Sequence, residues 1–190
     1  GISQAAGAAK KYQNLGWNVH LGGGMNFNRW IGALIEYDFN DFGVRNSEMQ
    51  TLFGSNYKST GLYGRVHIWS FTVDPIVKYH RTEQTEEYLI GGGGYYRTRS
   101  RFSAPANGTN GAAGGLNPTH LVDAVADNAW GMNIGTGIMW KVSYLEDAKY
   151  FAEARYVWVN GPPLPDDSNK LYGVSTQRTG YFPVTVGIRW

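Results

Sequence analysis

The chain has 190 residues, enough for one domain or one barrel, of which 42% are hydrophobic, 15% aromatic and only 17% charged. Its net charge of +2 is too small to point to nucleic acid, and the lack of cysteine excludes disulfides, thiolate catalysis and cysteine-ligated zinc. A mean hydropathy of -0.38 and the lack of any run of about 18 apolar residues exclude a helical membrane bundle, but not strands that are apolar on one face.

In chain order, Gly1 to Leu15 is small and polar and reads as an external loop or N-terminal segment. Trp17 to Phe27 then alternates: Trp17, Val19, Leu21, Gly23, Met25 and Phe27 share one face, and Asn18, His20, Gly22, Gly24 and Asn26 share the other. A period of two is the mark of a strand with unlike faces. Asn28 and Arg29 make a tight turn. Trp30 to Asn40 alternates again, with Ile31, Ala33, Ile35, Tyr37 and Phe39 opposite Glu36, Asp38 and Asn40. Residues 41–60 read as a polar loop.

Gly61 to Tyr79 is long enough to change phase. Its second half carries Trp69, Phe71, Val73, Val77 and Tyr79 on one face, while Leu62, Val66 and Ile68 hold the other parity in the first half. Either a bulge near Ser70 switches the phase or the first half projects above the rest of the sheet. The second needs no irregularity and is preferred. After a short charged turn, Tyr88 to Phe102 sets Tyr88, Ile90, Gly92, Gly94, Tyr96 and Thr98 against Leu89, Tyr95, Arg97, Arg99 and Arg101. Residues 103–128 read as a long loop, with a helical turn expected over Leu121 to Ala126.

Trp130 to Val142 aligns Trp130, Met132, Ile134, Ile138 and Trp140. Tyr150 to Trp158 opposes Tyr150, Ala152, Ala154, Tyr156 and Trp158 to Phe151, Glu153, Arg155 and Val157. A further loop covers 161–178. The last strand, Thr179 to Trp190, has Phe182, Val184, Val186, Ile188 and Trp190 on one parity and Tyr181, Thr185, Gly187 and Arg189 on the other.

Three features favour a membrane barrel over a soluble one. Short connections alternate with long ones, as short inner turns alternate with long external loops in outer-membrane barrels. Each apolar face covers about 9–11 residues, the length a tilted strand needs to cross a bilayer. Aromatics stand at the ends of these faces: Trp17, Trp30, Trp69, Tyr79, Trp130, Trp140, Trp158 and Trp190 would form two interfacial girdles. The charges on the opposite faces, namely Glu36, Asp38, Arg97, Arg99, Glu153, Arg155 and Arg189, are expected to meet in the lumen as a paired network. Val184, Val186 and Ile188 should then point outward and Arg189 inward.

The runs Gly16-Trp17-Asn18-Val19 and Asn26-Phe27-Asn28-Arg29-Trp30, the segment Glu36-Tyr37-Asp38-Phe39, the strand Gly91-Gly92-Gly93-Gly94-Tyr95-Tyr96 and the terminal Val186-Gly187-Ile188-Arg189-Trp190 resemble small bacterial outer-membrane β-barrel proteins. The likeness is to the transmembrane domain of outer-membrane protein A and to the opacity proteins, over roughly Gly16 to Trp190. It implies an all-β, antiparallel up-and-down transmembrane barrel of about eight strands over 16–190, in the outer membrane of a Gram-negative bacterium. It also implies lipid and lipopolysaccharide as surroundings, the barrel-assembly machinery reading Trp190 as a C-terminal signal, and other envelope or surface proteins meeting loops 41–60, 103–128 and 161–178. Seven strands are visible where an even number is expected. The first is therefore placed upstream of Gly1, and a gap of about two strand spacings, roughly 9–10 Å, is expected between the Trp17 strand and the C-terminal strand.

Nothing in the sequence calls for a cofactor or metal. His20, His67, His80 and His120 show no ligand spacing, and Gly91 to Gly94 lacks the Lys-Ser/Thr and following helix of a phosphate-binding loop. Those glycines read as strand positions that make room for bulky lumen side chains. Glu36, Asp38 and Glu153 could serve as paired catalytic carboxylates, but with arginines alongside they read as a salt-bridge plug. No Gly-x-Ser-x-Gly motif is present, so the chain is expected not to be an enzyme. Asn107-Gly108-Thr109 and Pro162-Pro163-Leu164-Pro165 agree with exposed loops. The expected role is a structural or interaction protein with a plugged lumen, and the alternative is a narrow pore or a carrier for small apolar molecules.

Overall fold

A computed structural model describes residues 1–11, 13–47, 63–105, 119–141, 148–160 and 179–190. Eight strands follow the alternation of the sequence: β1 Ile2–Ala6, β2 Gly16–Asn26, β3 Ile31–Gly43, β4 Tyr63–Arg81, β5 Thr85–Pro105, β6 Thr119–Lys141, β7 Lys149–Asn160 and β8 Thr179–Arg189. A 3-10 turn, Gly7–Lys11, follows β1. Every strand pairs antiparallel with its sequence neighbour, and β1 pairs with β8, so the sheet closes into an up-and-down barrel in the order β1 to β8.

The strand upstream of Gly1 is a correction. Ile2–Ala6, expected to lie in a loop, occupies that place: Ile2 pairs with Val184 and Ala6 with Gly180 on one side, while Ile2 and Ser3 pair with Trp17 and Gly16 on the other. The sequence argument failed because it asked for large apolar side chains. A ladder needs only backbone donors and acceptors, and Ser3 and Ala5 are small enough to lie buried inside the wall. β2 and β8 are indeed not paired with each other, as expected, but the strand between them covers only one end. Nearer the short turns, Val19 to Asn26 of β2 pairs with β3 alone.

One further expectation changes, and the preferred reading of β4, without a bulge near Ser70, holds. Residues 119–128 continue β6 instead of forming a loop with a helical turn, since Thr119 to Asn128 pairs along β5 from Pro105 back to Arg97. The register of β4 runs unbroken past Ser70, from Arg65 opposite Gly43 to Val77 opposite Ile31. No bulge switches its phase there; the irregularity lies near the turn, between Lys78 and His80. Val66 and Ile68 are therefore inward from the start and fully buried. Of the three expected loops, 48–60, 106–118 and 161–178 lie outside the described residues, as do the motifs at Asn107 and Pro162.

The barrel interior is layered along the strands. On β7 the inward residues run Phe151, Glu153, Arg155, Val157, Val159; on β4 they run Val66, Ile68, Ser70, Thr72, Asp74, Ile76. Apolar ends thus flank a polar middle. Toward the long connections, Phe42, Val44, Val66, Ile68, Tyr96, Phe102, Val157, Val159 and Tyr181 form one cluster. Toward the short turns, Ile76, Tyr88, Ile90, Met139 and Phe151 form another. Tyr88 and Tyr96 fit because glycines face them. A Cβ on Gly137 would meet the Tyr88 ring at 2.4 Å, and one on Gly131 would meet the Tyr96 ring at 2.6 Å. Gly137→Ala is expected to destabilise the barrel by about 1–3 kcal/mol through overpacking, read as a lower urea midpoint at unchanged slope. An unshifted midpoint would show that the Tyr88 ring swings aside freely.

Candidate functional site: the charged layer of the lumen

The middle layer is centred on Arg155 of β7, which is 7% exposed. Its Nη2 lies 2.6 Å from Glu36 Oε2, its Nη1 lies 3.3 Å from Asp74 Oδ2, and its Nε donates to Glu153 Oε1. Arg189 of β8 joins from the turn side, with Nη2 3.5 Å from Glu153 Oε2 and 3.8 Å from Glu36 Oε1. Its guanidinium lies 4.6 Å from the Phe151 ring centroid and 5.3 Å from that of Tyr88. These stacking distances fit cation–π contact.

Neutral partners take up further carboxylate oxygens. The Tyr88 hydroxyl donates to Glu153 Oε2 at 2.7 Å, Asn133 Nδ2 to Asp74 Oδ1 at 2.7 Å, and Ser70 Oγ to Asp38 Oδ2 at 3.2 Å. His20 of β2, directly opposite Asp38 in the register, bridges Asp38 through Nδ1 and Glu36 through Nε2, the latter at 2.9 Å. Beside this layer, Asn18 donates to the Ile2 carbonyl and to Ser3 Oγ, both at 2.9 Å, and Ser3 donates to Asn40 at 2.6 Å. These bonds tie the short β1 to the interior. A separate cluster stands at the short-turn mouth, where Glu86 takes Lys149 at 2.9 Å, Arg81 at 3.0 Å and Lys78 at 3.4 Å.

No family model matches the chain, and no curated protein matches it. The site therefore stands on its geometry.

Of the seven lumen residues expected from sequence, the barrel gathers Glu36, Asp38, Glu153, Arg155 and Arg189 into one network. Arg97 and Arg99 are not part of it, which is a correction. Arg97 sits opposite Trp69, and Arg99 opposite His67, on the outward parity of β4 and β5. β5 offers large side chains on both faces, with Tyr88, Ile90 and Tyr96 on one and Leu89 and Tyr95 on the other. Alternation alone could not choose between them. Packing did: Tyr88, Ile90 and Tyr96 are at most 2% exposed inside, leaving the arginines outside.

His20, Tyr88 and Asn133 escaped the sequence reading because each is unremarkable in its own strand. Only the register and the cross-barrel geometry bring them to a carboxylate. The one available signal was that His20 shares the polar face of β2 with Asn18.

Chemically, the layer is built for holding. Asp38 stands between Ser70 and His20, whereas a hydrolytic triad needs the histidine between the serine and the acid. Among the described residues, no group of three His, Asp or Glu side chains is placed to hold a metal ion. The space left in the layer, lined by Asn18, His20, Asp38, Asn133 and Arg155 among others, is about 20 Å³. That is room for about one water molecule.

The eight girdle residues all lie on the outer wall or at its turns. Trp17, Trp30, Tyr79, Trp130, Trp140, Trp158 and Trp190 are exposed, and Trp69 is half-buried. On the outside, Trp17 meets Phe39 at 5.3 Å between ring centroids, Phe39 meets Trp69 at 5.5 Å, and Tyr95 meets Trp130 at 6.3 Å. Between the two sets of rings most exposed side chains are aliphatic, among them Val19, Leu21, Ile35, Val73, Val77, Leu89, Ile134, Val184, Val186 and Ile188, with Tyr37, Phe71 and Met132 also outward.

Proposed function

We propose that this chain is an outer-membrane barrel with a closed lumen, acting as a structural or interaction protein through its rim and its long connections. The observation that carries the reading is the Arg155 layer, whose cavity between Asn18, His20, Asp38, Asn133 and Arg155 is about 20 Å³. A hydrated ion or a small solute needs more room than one water. The layer is also cross-linked from β2, β3, β4, β7 and β8, so no single side chain swings away to open it.

The membrane part of the reading rests on the outer wall. Trp130 and Trp140 stand ten positions apart on β6, about 33 Å along a strand. At the roughly 40° tilt of such barrels this leaves a band about 25 Å tall, the height of the apolar belt of outer-membrane proteins. In water, so many exposed aliphatic and aromatic side chains in one ring would be an aggregation hazard. The resemblance adds the barrel-assembly machinery as a partner during insertion. It also adds lipopolysaccharide and neighbouring envelope proteins as partners for the side of the long connections.

Planar-bilayer recording tests the closed lumen. The expected result is no sustained unitary current, and stepwise openings would overturn the plug.

One observation favours a second reading, a carrier of small apolar molecules. On the turn side of the charged layer a cavity of about 510 Å³ is lined by Leu21, Met25, Leu34, Ile76, Met139 and Phe151 together with the charged Glu36, Lys78, Glu86, Lys149 and Arg189, beside the stretch of β2 that pairs with β3 alone. Saturable uptake of a fluorescent alkyl-chain probe, blocked by a bulky substitution at Met139, would move the assignment to the carrier.

A further inference from the structure

The arginines that packing turned outward form a patch of their own. On β5, Arg97, Arg99 and Arg101 follow one another on the outer face, about 6.8 Å apart. Across the ladder on β4 stand Arg65, opposite Arg101, and His67, opposite Arg99. The one described carboxylate among them is Asp41, which Arg65 meets at 2.7 Å and His67 at 3.6 Å. Among the described residues Arg97, Arg99 and Arg101 have no ion-pair partner, and the Nε of Arg101 is buried without a hydrogen-bond partner.

The position of this patch is as telling as its charge. Arg97 is level with Trp69, and two residues nearer the short turns Tyr95 pairs with Trp130. The cations thus begin where the exposed aromatic ring ends, on the side of the long connections. Tryptophan and tyrosine on a membrane barrel mark the headgroup level. The guanidinium is planar and presents paired donors that match phosphate oxygens.

We propose that Arg65, Arg97, Arg99 and Arg101 form a binding site on the outer wall for the phosphate groups of a phosphorylated lipid in the adjoining leaflet. This rests on the membrane reading above. A lipid source is favoured over a free anion because the patch borders the aliphatic belt, which would take the acyl chains while the arginines hold the headgroup.

The test uses the full chain refolded in neutral detergent micelles and titrated with diphosphoryl lipid A, followed by tryptophan fluorescence. The triple variant Arg97→Gln/Arg99→Gln/Arg101→Gln is expected to bind roughly 100-fold more weakly, from about five-fold per arginine at an anionic surface. Arg29→Gln, at the opposite end beside Trp30, is expected to bind like the parent chain. If the triple variant does not refold, Arg99→Gln alone should lose about five-fold. Unchanged binding by these variants would overturn the site. So would displacement of the lipid by inorganic phosphate at a similar concentration, which would make it a free-anion site. Insertion of the parent chain into phosphatidylcholine vesicles separates the two readings. Insertion without preference for lipid A sinks this inference alone, and failure to insert into any vesicle sinks both.

Discussion

Arg155→Met is expected to destabilise the folded barrel by about 3–5 kcal/mol, the cost of removing one partner from a buried charge network. Arg155 is the centre of the layer, reaching Glu36, Asp74 and Glu153 at once. Without it those three carboxylates stay buried, with Arg189 no nearer than 3.5 Å to any of them and His20 already shared between Glu36 and Asp38. Methionine keeps much of the volume, so the effect reports charge rather than a cavity. The measurement is urea unfolding in lipid vesicles, followed by tryptophan fluorescence. Restoring balance should recover stability, because a neutral, well-packed replacement of a buried ion network is often no less stable than the network. Arg155→Met combined with Glu36→Gln and Glu153→Gln is therefore expected to be more stable than Arg155→Met alone. Arg97→Met, on the outer wall, is expected to change stability by only about 0.5 kcal/mol in neutral lipid. A loss below about 1 kcal/mol for Arg155→Met would mean that water reaches the carboxylates and that the layer does not close the lumen.

Val186→Arg is expected to cost about 2–4 kcal/mol in a bilayer, the penalty for an arginine on the lipid face near the midplane. Val186 is 69% exposed on the outer face of β8, between Val184 and Ile188. It lies midway between Phe182 and Trp190, which bound the apolar face of that strand. Asn160→Arg, in the rank of Trp130 at the rim, is the control, with about 0–1 kcal/mol expected near the interface. This contrast separates a membrane barrel from a soluble one. In water both positions are exposed and both arginines would be tolerated within about 0.5 kcal/mol. Spin labels give an independent reading: a label at Val186 should be accessible to a lipid-soluble quencher and one at Thr185 should not. Equal penalties at Val186 and Asn160, or equal quenching at 186 and 185, would remove the case for lipid on this wall.

How much of the molecule was legible in advance follows from which forces act locally. Strands β2, β3, β7 and β8 alternate apolar and polar residues without ambiguity, so Val186 outward and Glu153 and Arg155 inward could be assigned from parity alone. β5 has bulky residues on both parities and a run of four glycines between them, and there the pattern carried no information about facing. β1 was missed for the opposite reason: its side chains are nearly all small, and its pairing depends on the backbone of its neighbours. The upper parts of β5 and β6 were read as a loop because Ala, Ser and Asn are poor strand formers by themselves. Each of those positions becomes strand through a partner already in place across the ladder.

What the sequence by itself determined is the period-two chemistry of seven of the eight strands: an all-β fold, an apolar outer belt bounded by tryptophans, and Glu36, Asp38, Glu153, Arg155 and Arg189 on the inner faces. Side-chain alternation is a covalent property of an extended chain and needs no tertiary information. What only the tertiary structure decided is which charges meet. The relative register of β2 and β3 brings His20 opposite Asp38, and closure of the ring carries Arg155 across to Glu36 and Asp74, 119 and 81 positions away along the chain. The same closure filled the interior with Tyr88 and Tyr96 and so left Arg97 and Arg99 on the outside. Register and closure are set by how volumes and hydrogen bonds fit across the whole barrel, and no single strand contains that information.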